Sequence, residues 1–144
     1  WGLEKSWEWF GDTPLIASSR NGHPEVVRYL LLELADPTLE SCPQEDEYED
    51  AMKAAAQSLR RLGCTLSDSR AGIGQQLACR LLQTAMGYWS EAPYKSPAYG
   101  KKRRAKMRNE PRDTDGLRAA IEAAAFSEEE LAAVAAQHAP PRAH

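Results

Sequence analysis

The chain is predicted to be all-α, a short stack of helical hairpins followed by an extended basic arm and a C-terminal helical hairpin. Three observations carry this reading. The composition is rich in Ala, Leu, Glu and Arg, poor in Ile and Phe, and has few β-branched runs, which favours helix over sheet. Apolar residues recur at helical spacing in one segment after another. The borders of those segments carry helix-start and helix-stop residues. At 144 residues the chain is long enough for one domain with a modest core.

The first hairpin is the best marked. Thr13 offers a capping hydroxyl, and Pro14 takes the first helical position, where its missing N–H costs nothing. Leu15 and Ile16 with the small Ala17, Ser18 and Ser19 make a short helix that a neighbour can approach closely. Asn21-Gly22 closes it, because Gly adopts the left-handed conformation of a helix end without strain. Val26, Val27, Leu30 and Leu31 form the apolar stripe of a second, antiparallel helix, and Ala35-Asp36-Pro37 turns the chain out of it.

Taken together, Gly11-Asp12-Thr13-Pro14-Leu15, Gly22-His23-Pro24-Glu25-Val26-Val27 and Ala35-Asp36 resemble one ankyrin repeat, over roughly residues 8–40. The resemblance implies an ankyrin-type helical hairpin stack, a short solenoid. Leu34 departs from the pattern, since it stands where such repeats usually carry Gly; the turn there must bear a left-handed penalty or adopt another geometry. The resemblance also implies partner contacts at Trp9, Phe10 and Asp12, on the finger leading into the first helix, and at Arg20 and Asn21 at that helix's end. Trp1, Trp7 and Trp9 either cap the open end of the stack or serve as interface anchors. His23 is implied to brace the turn between the helices. A repeat of this kind cannot bury its own apolar face, and about three are normally needed for stability, so the rest of the chain is expected to stack on this one.

An acidic connector runs from Asp36 to Asp50, with Glu40, Glu45, Asp46, Glu47 and Glu49, and reads as an expanded finger. Asp50 is positioned to cap a helix over 51–62 that ends at Gly63 and carries Met52, Ala55, Ala56 and Leu59 on one face. Glu49 to Ala55 is the start of a degenerate second repeat, placed at 49–64. Ser67-Asp68-Ser69 offers caps for a further helix with Ile73, Leu77, Leu81, Leu82 and Met86 in helical phase, ending near Gly87. Gly72 and Gly74 weaken its first turn. Gly72-Ile73-Gly74 lacks the preceding strand and the lysine of a phosphate loop.

From Tyr88 to Arg112 the character changes. Pro93, Pro97 and Pro111 interrupt the segment, Tyr88, Trp89, Tyr94 and Tyr99 punctuate it, and a basic run follows: Lys101, Lys102, Arg103, Arg104, Lys106 and Arg108. It is expected to be an extended arm rather than a core element. Beyond it, Asp115 is expected to cap a helix over 117–125, and Ser127 with Glu130 forms a capping box for another through Gln137. Leu117, Ile121 and Ala124, then Leu131 and Val134, give thin Ala-rich stripes that need a surface to dock on. The organisation predicted is an ankyrin-like domain over 1–87, the aromatic and basic arm over 88–112 and a C-terminal helical hairpin or tail over 113–144.

The net charge of −3 hides a polarised chain, acidic around 36–50 and basic around 101–108, which suits different partners at its two ends. Cys42, Cys64 and Cys79 are odd in number and never spaced Cys-x-x-Cys; three reduced thiols in an intracellular protein are expected. No apolar run is long enough to span a bilayer. The chain begins at Trp1 rather than Met, so the lack of a leader pattern carries no weight. No nucleophile has a His at a recognisable spacing, His138 and His144 lie near the C-terminus, and the acidic cluster lacks the spacing of a calcium loop. No catalytic, cofactor-binding or metal residues are expected, and the chain reads as a non-enzyme.

The function expected is therefore non-catalytic protein–protein interaction, as a scaffold or accessory subunit of a multi-subunit assembly. The alternative is a ribonucleoprotein-associated subunit whose basic arm, 101–108, contacts RNA, with Tyr94, Tyr99 and Trp89 available for stacking. A strap along an acidic protein face and an import signal are further readings of the same arm.

Overall fold

The computed structural model describes residues 12–44, 47–63, 72–89 and 110–139. Among them are six helices and one short two-stranded hairpin, so the architecture is the all-α, ankyrin-type stack that the sequence implies.

Helix α1 spans Pro14–Arg20 and starts as its sequence requires: Thr13 is extended, and its hydroxyl accepts a hydrogen bond from the Ile16 amide at 3.1 Å. Gly22 then takes a left-handed φ of +72°, and α2 runs over Pro24–Leu32 with Val27 and Leu31 fully buried. After α2 the chain resolves the question posed by Leu34. That residue is left-handed, with φ +66°, and the Leu34 and Ala35 amides donate to the Leu31 and Leu30 carbonyls at 3.1 and 2.9 Å. The strain, about 1–2 kcal/mol for a non-glycine residue, is offset by packing of the Leu34 side chain against the core.

The acidic connector is a β-hairpin. Strand β1 (Ser41–Gln44) pairs antiparallel with β2 (Glu47–Glu49), Ser41 opposite Glu49 and Gln44 opposite Glu47. Asp50 then caps α3 (Ala51–Arg61) by accepting from the Lys53 amide at 2.8 Å. Helix α4 spans Ile73–Met86 with Gly72 at its N-cap and no capping side chain; the caps expected at Ser67 to Ser69 lie outside the described residues.

Helix α3 packs beside α1, and α4 beside α2. The pair α3–α4 therefore stacks on α1–α2 in parallel register, as a second repeat stacks on a first. The outward stripe of α3 is Lys53, Gln57, Arg60 and Arg61, at i, i+4, i+7 and i+8 opposite the buried Ala51, Ala54, Ala55 and Leu59. A charged outer face of this kind suits the end of a stack.

Helix α5 (Thr114–Ala123) lies across α2 and α4, and α6 (Glu128–Gln137) continues along α4. The cap of α5 is Asp113, whose carboxylate accepts from the Gly116 amide at 3.0 Å, in place of the Asp115 expected. Asp113 is extended while Asp115 is already inside the first turn. Leu117 and Ile121 are fully buried and join one core with Leu15, Ile16, Val27, Leu31, Leu81 and Leu82. The surface that this hairpin needed is the outer side of the stack. Arg28 and Arg118 fasten it by donating to the carbonyls of Glu122 and Leu32, both at 3.2 Å.

One correction concerns the start of the predicted arm. Trp89 is only 6% exposed and sits in the core, and Tyr88 packs against it. Trp89 forms a β-bridge with Pro111, and the Arg112 amide donates to the Tyr88 carbonyl at 2.8 Å. A large indole buries more apolar area than an extended arm leaves in water, so these residues finish α4 instead of opening an arm. Residues 90–109 lie outside the described part, and with them Lys101, Lys102, Arg103, Arg104, Lys106 and Arg108.

Candidate docking face on the first repeat

The face that the resemblance singles out is built on α1 and the hairpin. Trp9 and Phe10 lie outside the described residues. Asp12, Arg20 and Asn21 are described, and the fold brings them together: α1 makes two turns, which returns Arg20 toward Asp12 across its end. The Arg20 guanidinium is ion-paired with Asp12 and, at 3.3 Å, with Glu49 at the end of β2. Its pKa is raised, chiefly by the hydrogen bond to Asp12, with burial acting in the opposite sense and Glu49 adding to the rise. Arg20 thereby ties the finger to the helix. The Asn21 amide donates to the Ala17 carbonyl at 2.9 Å and closes α1 while the residue stays exposed.

The three predicted contact residues are thus partly structural. About a quarter of the Arg20 side chain and a third of that of Asp12 remain accessible (25% and 34%). Sequence reading missed Glu49 as the third member. The only signal was its place at the end of the acidic connector, which spacing alone does not connect to Arg20.

A polar junction beneath the same C-terminal end of α1 was also missed. Gln75 is 3% exposed, and its amide donates to the Arg20 carbonyl at 3.1 Å and to Ser58 at 3.3 Å. Its oxygen accepts from Gln137 at 2.8 Å, and the Gln137 oxygen accepts from the Gly74 amide at 2.7 Å. The rings of His23 and His138 stack with centroids 4.2 Å apart, and His138 Nε2 lies 2.7 Å from the Gly22 carbonyl. His23 sits at the turn between α1 and α2 without a capping side-chain hydrogen bond, and the ring stacked on it is that of His138, the residue that closes α6. Burial first, then the neighbouring His138, lowers the His23 pKa.

Among the described residues no group of His, Cys, Asp and Glu is placed to hold a metal ion. Cys79 is buried, and its thiol is pushed up to about 11, first by burial and then by the Asp50 carboxylate, so at neutral pH it is protonated and inert. No described helix is long and apolar enough to cross a membrane.

Residues 10–41 match the family model of the ankyrin repeat. No curated protein and no solved structure matches the chain. Repeats of this family generally mediate protein–protein interaction. The stretch similar to an ankyrin repeat thus takes in α1, α2 and the turns that follow each of them.

Proposed function

We propose that the protein is a non-catalytic interaction module, a scaffold or accessory subunit, that grips a protein partner with the face formed by α1 and the finger. The observation that carries this is the arrangement of the layers. Helices α5 and α6 lie on α2 and α4, whereas the main packing partners of α1 are α3, α2 and α4. The exposed edge of α1 presents the Asp12–Arg20 pair and Asn21, with Trp9 and Phe10 immediately upstream in sequence.

The test is partner capture with Arg20→Ala and Asn21→Ala combined, alongside Trp9→Ala and Phe10→Ala. Capture should fall at least about tenfold while helix content is kept. Undiminished capture by the combined variant removes this face from the proposal.

The density of charge at Lys101 to Arg108 supports a second reading, contact with RNA. It predicts a steep salt dependence of RNA binding that flattens when Lys101, Lys102, Arg103 and Arg104 become Ala. A flat salt response in the unaltered protein overturns it.

A further inference from the structure

A second surface lies away from the α1 face, on the layer built by α2, α5 and α6. Glu25, Arg28, Tyr29 and Leu32 stand at i, i+3, i+4 and i+7 on α2, one face of the helix. Ala125, Phe126 and Leu131, from the corner between α5 and α6, form the facing wall. Between them is an open groove of about 350 Å³. Tyr29 is 62% exposed and Val26, one position along the same helix surface, 47%. These are two of the three large apolar side chains most open to water among the described residues.

The groove's charge says what fits it. Glu25 lines one end. Glu122 is exposed at the end of α5, beside the carbonyl that holds Arg28, and Glu128 is exposed one turn before Leu131 on α6. None of these three carboxylates is ion-paired with a described residue. The two cations at the groove, Arg28 in its lining and Arg118 beside Leu32, have their guanidiniums turned onto backbone carbonyls, Arg28 onto those of Ile121 and Glu122 at 3.4 and 3.2 Å and Arg118 onto that of Leu32 at 3.2 Å, so both brace the walls instead of meeting a ligand. An apolar floor with Glu25 in its lining, and with the exposed Glu122 and Glu128 within a turn of the lining residues Ala125 and Leu131, disfavours acidic or purely polar occupants and complements an apolar side chain flanked by cations.

We propose that this groove is a docking site for a basic segment of a partner protein, with one large apolar side chain seated against Tyr29, Leu32 and Phe126 and flanking lysines or arginines meeting Glu25, Glu122 and Glu128. The apolar contact supplies affinity, and the carboxylates supply sign selectivity and faster encounter. No residue of the α1 face takes part, so the protein has two independent surfaces and can bridge two chains.

The probe is a fluorescein-labelled short peptide with a central Leu-Phe pair between lysines, with a twin carrying glutamates in place of the lysines. Fluorescence anisotropy with the full chain should show saturable binding of the basic peptide, and at least about tenfold weaker binding of the acidic one. Tyr29→Ser and Glu25→Lys, both at exposed positions that leave the core intact, should each weaken the basic peptide roughly tenfold. Arg20→Ala with Asn21→Ala should leave it unchanged, which separates this site from the α1 face. Equal binding of the two peptides, wild-type affinity in both groove variants, or no binding at millimolar peptide overturns the proposal. So does a self-associating protein whose dimer is lost in Tyr29→Ser, because the occupant is then a second copy.

Discussion

Leu34 and Leu31 show how differently two leucines three positions apart are used. Leu31 is fully buried between the helical layers, and Leu31→Ala should cost about 3 kcal/mol of stability in urea titration. Leu34→Gly removes side-chain packing but also relieves the left-handed strain at φ +66°. The two effects oppose each other, and the net change should stay within about 1 kcal/mol. A loss equal to that of Leu31→Ala would mean that packing alone governs the turn. At the same scale, the lowered pKa of His23 sets a pH dependence. The folded state favours the neutral ring, so the unfolded chain binds more protons near its ordinary pKa of about 6.5. The contribution is complete above that value and is lost as pH falls below it. The last turn of α6 and the first turn of α4 bring no carboxylate to the stacked rings, α1 and α3 end in the cations Arg20, Arg60 and Arg61, and Glu25 is the one acid in the first turn of α2. The urea midpoint should therefore drop between pH 7.5 and 5.5, and His23→Asn should flatten that drop. An unchanged slope in the variant assigns it to other groups.

Among the elements, α4 illustrates a local signal that pointed the wrong way for a sound reason. Gly72 and Gly74 read as weaknesses in its first turn, and by propensity Gly74→Ala should strengthen the helix by about 1 kcal/mol. The structure reverses this sign, because a Cβ at Gly74 would collide with the Gly22 carbonyl. The turn of the first repeat rests directly on the backbone of α4. Gly74→Ala should therefore destabilise the protein, by about 2 kcal/mol or more, in thermal unfolding; any stabilisation would contradict the close approach. What sequence could disclose was the local chemistry. The Thr13 and Asp50 caps, the Pro14 start and the Ser127–Glu130 box each act within a turn, and all were legible. Asp113 against Asp115 was not, since both precede the same apolar stripe and only the backbone at Asp113 decides between them. The Gln75–Gln137 and His23–His138 contacts join residues more than 60 positions apart, and no periodicity reports them.

For the whole molecule, the stack was legible in outline and its third layer was not. The sequence showed that the α5–α6 hairpin has thin stripes and needs a surface; it did not show which. The answer follows from supply: α2 and α4 each retain apolar side chains after pairing with α1 and α3, and Leu117 and Ile121 fill the space over them. Of the candidate docking residues, Asp12, Arg20 and Asn21 were reachable through the repeat pattern, while the groove over α2 required the position of α5 and α6. The bridge between Trp89 and Pro111 also bears on how the chain is connected. It fixes the two ends of the segment 90–110 side by side, so that the described helices on either side of it meet through packing as well as through the chain. The protein is in this respect two interlocking pieces, one ending at Trp89 and one beginning near Glu110. Co-expressed as separate polypeptides divided within that segment, they should find each other and rebuild the native near-ultraviolet spectrum, at an affinity set by the burial of Leu117, Ile121 and Trp89. Failure of the two polypeptides to associate would show that the covalent link is indispensable to the third layer.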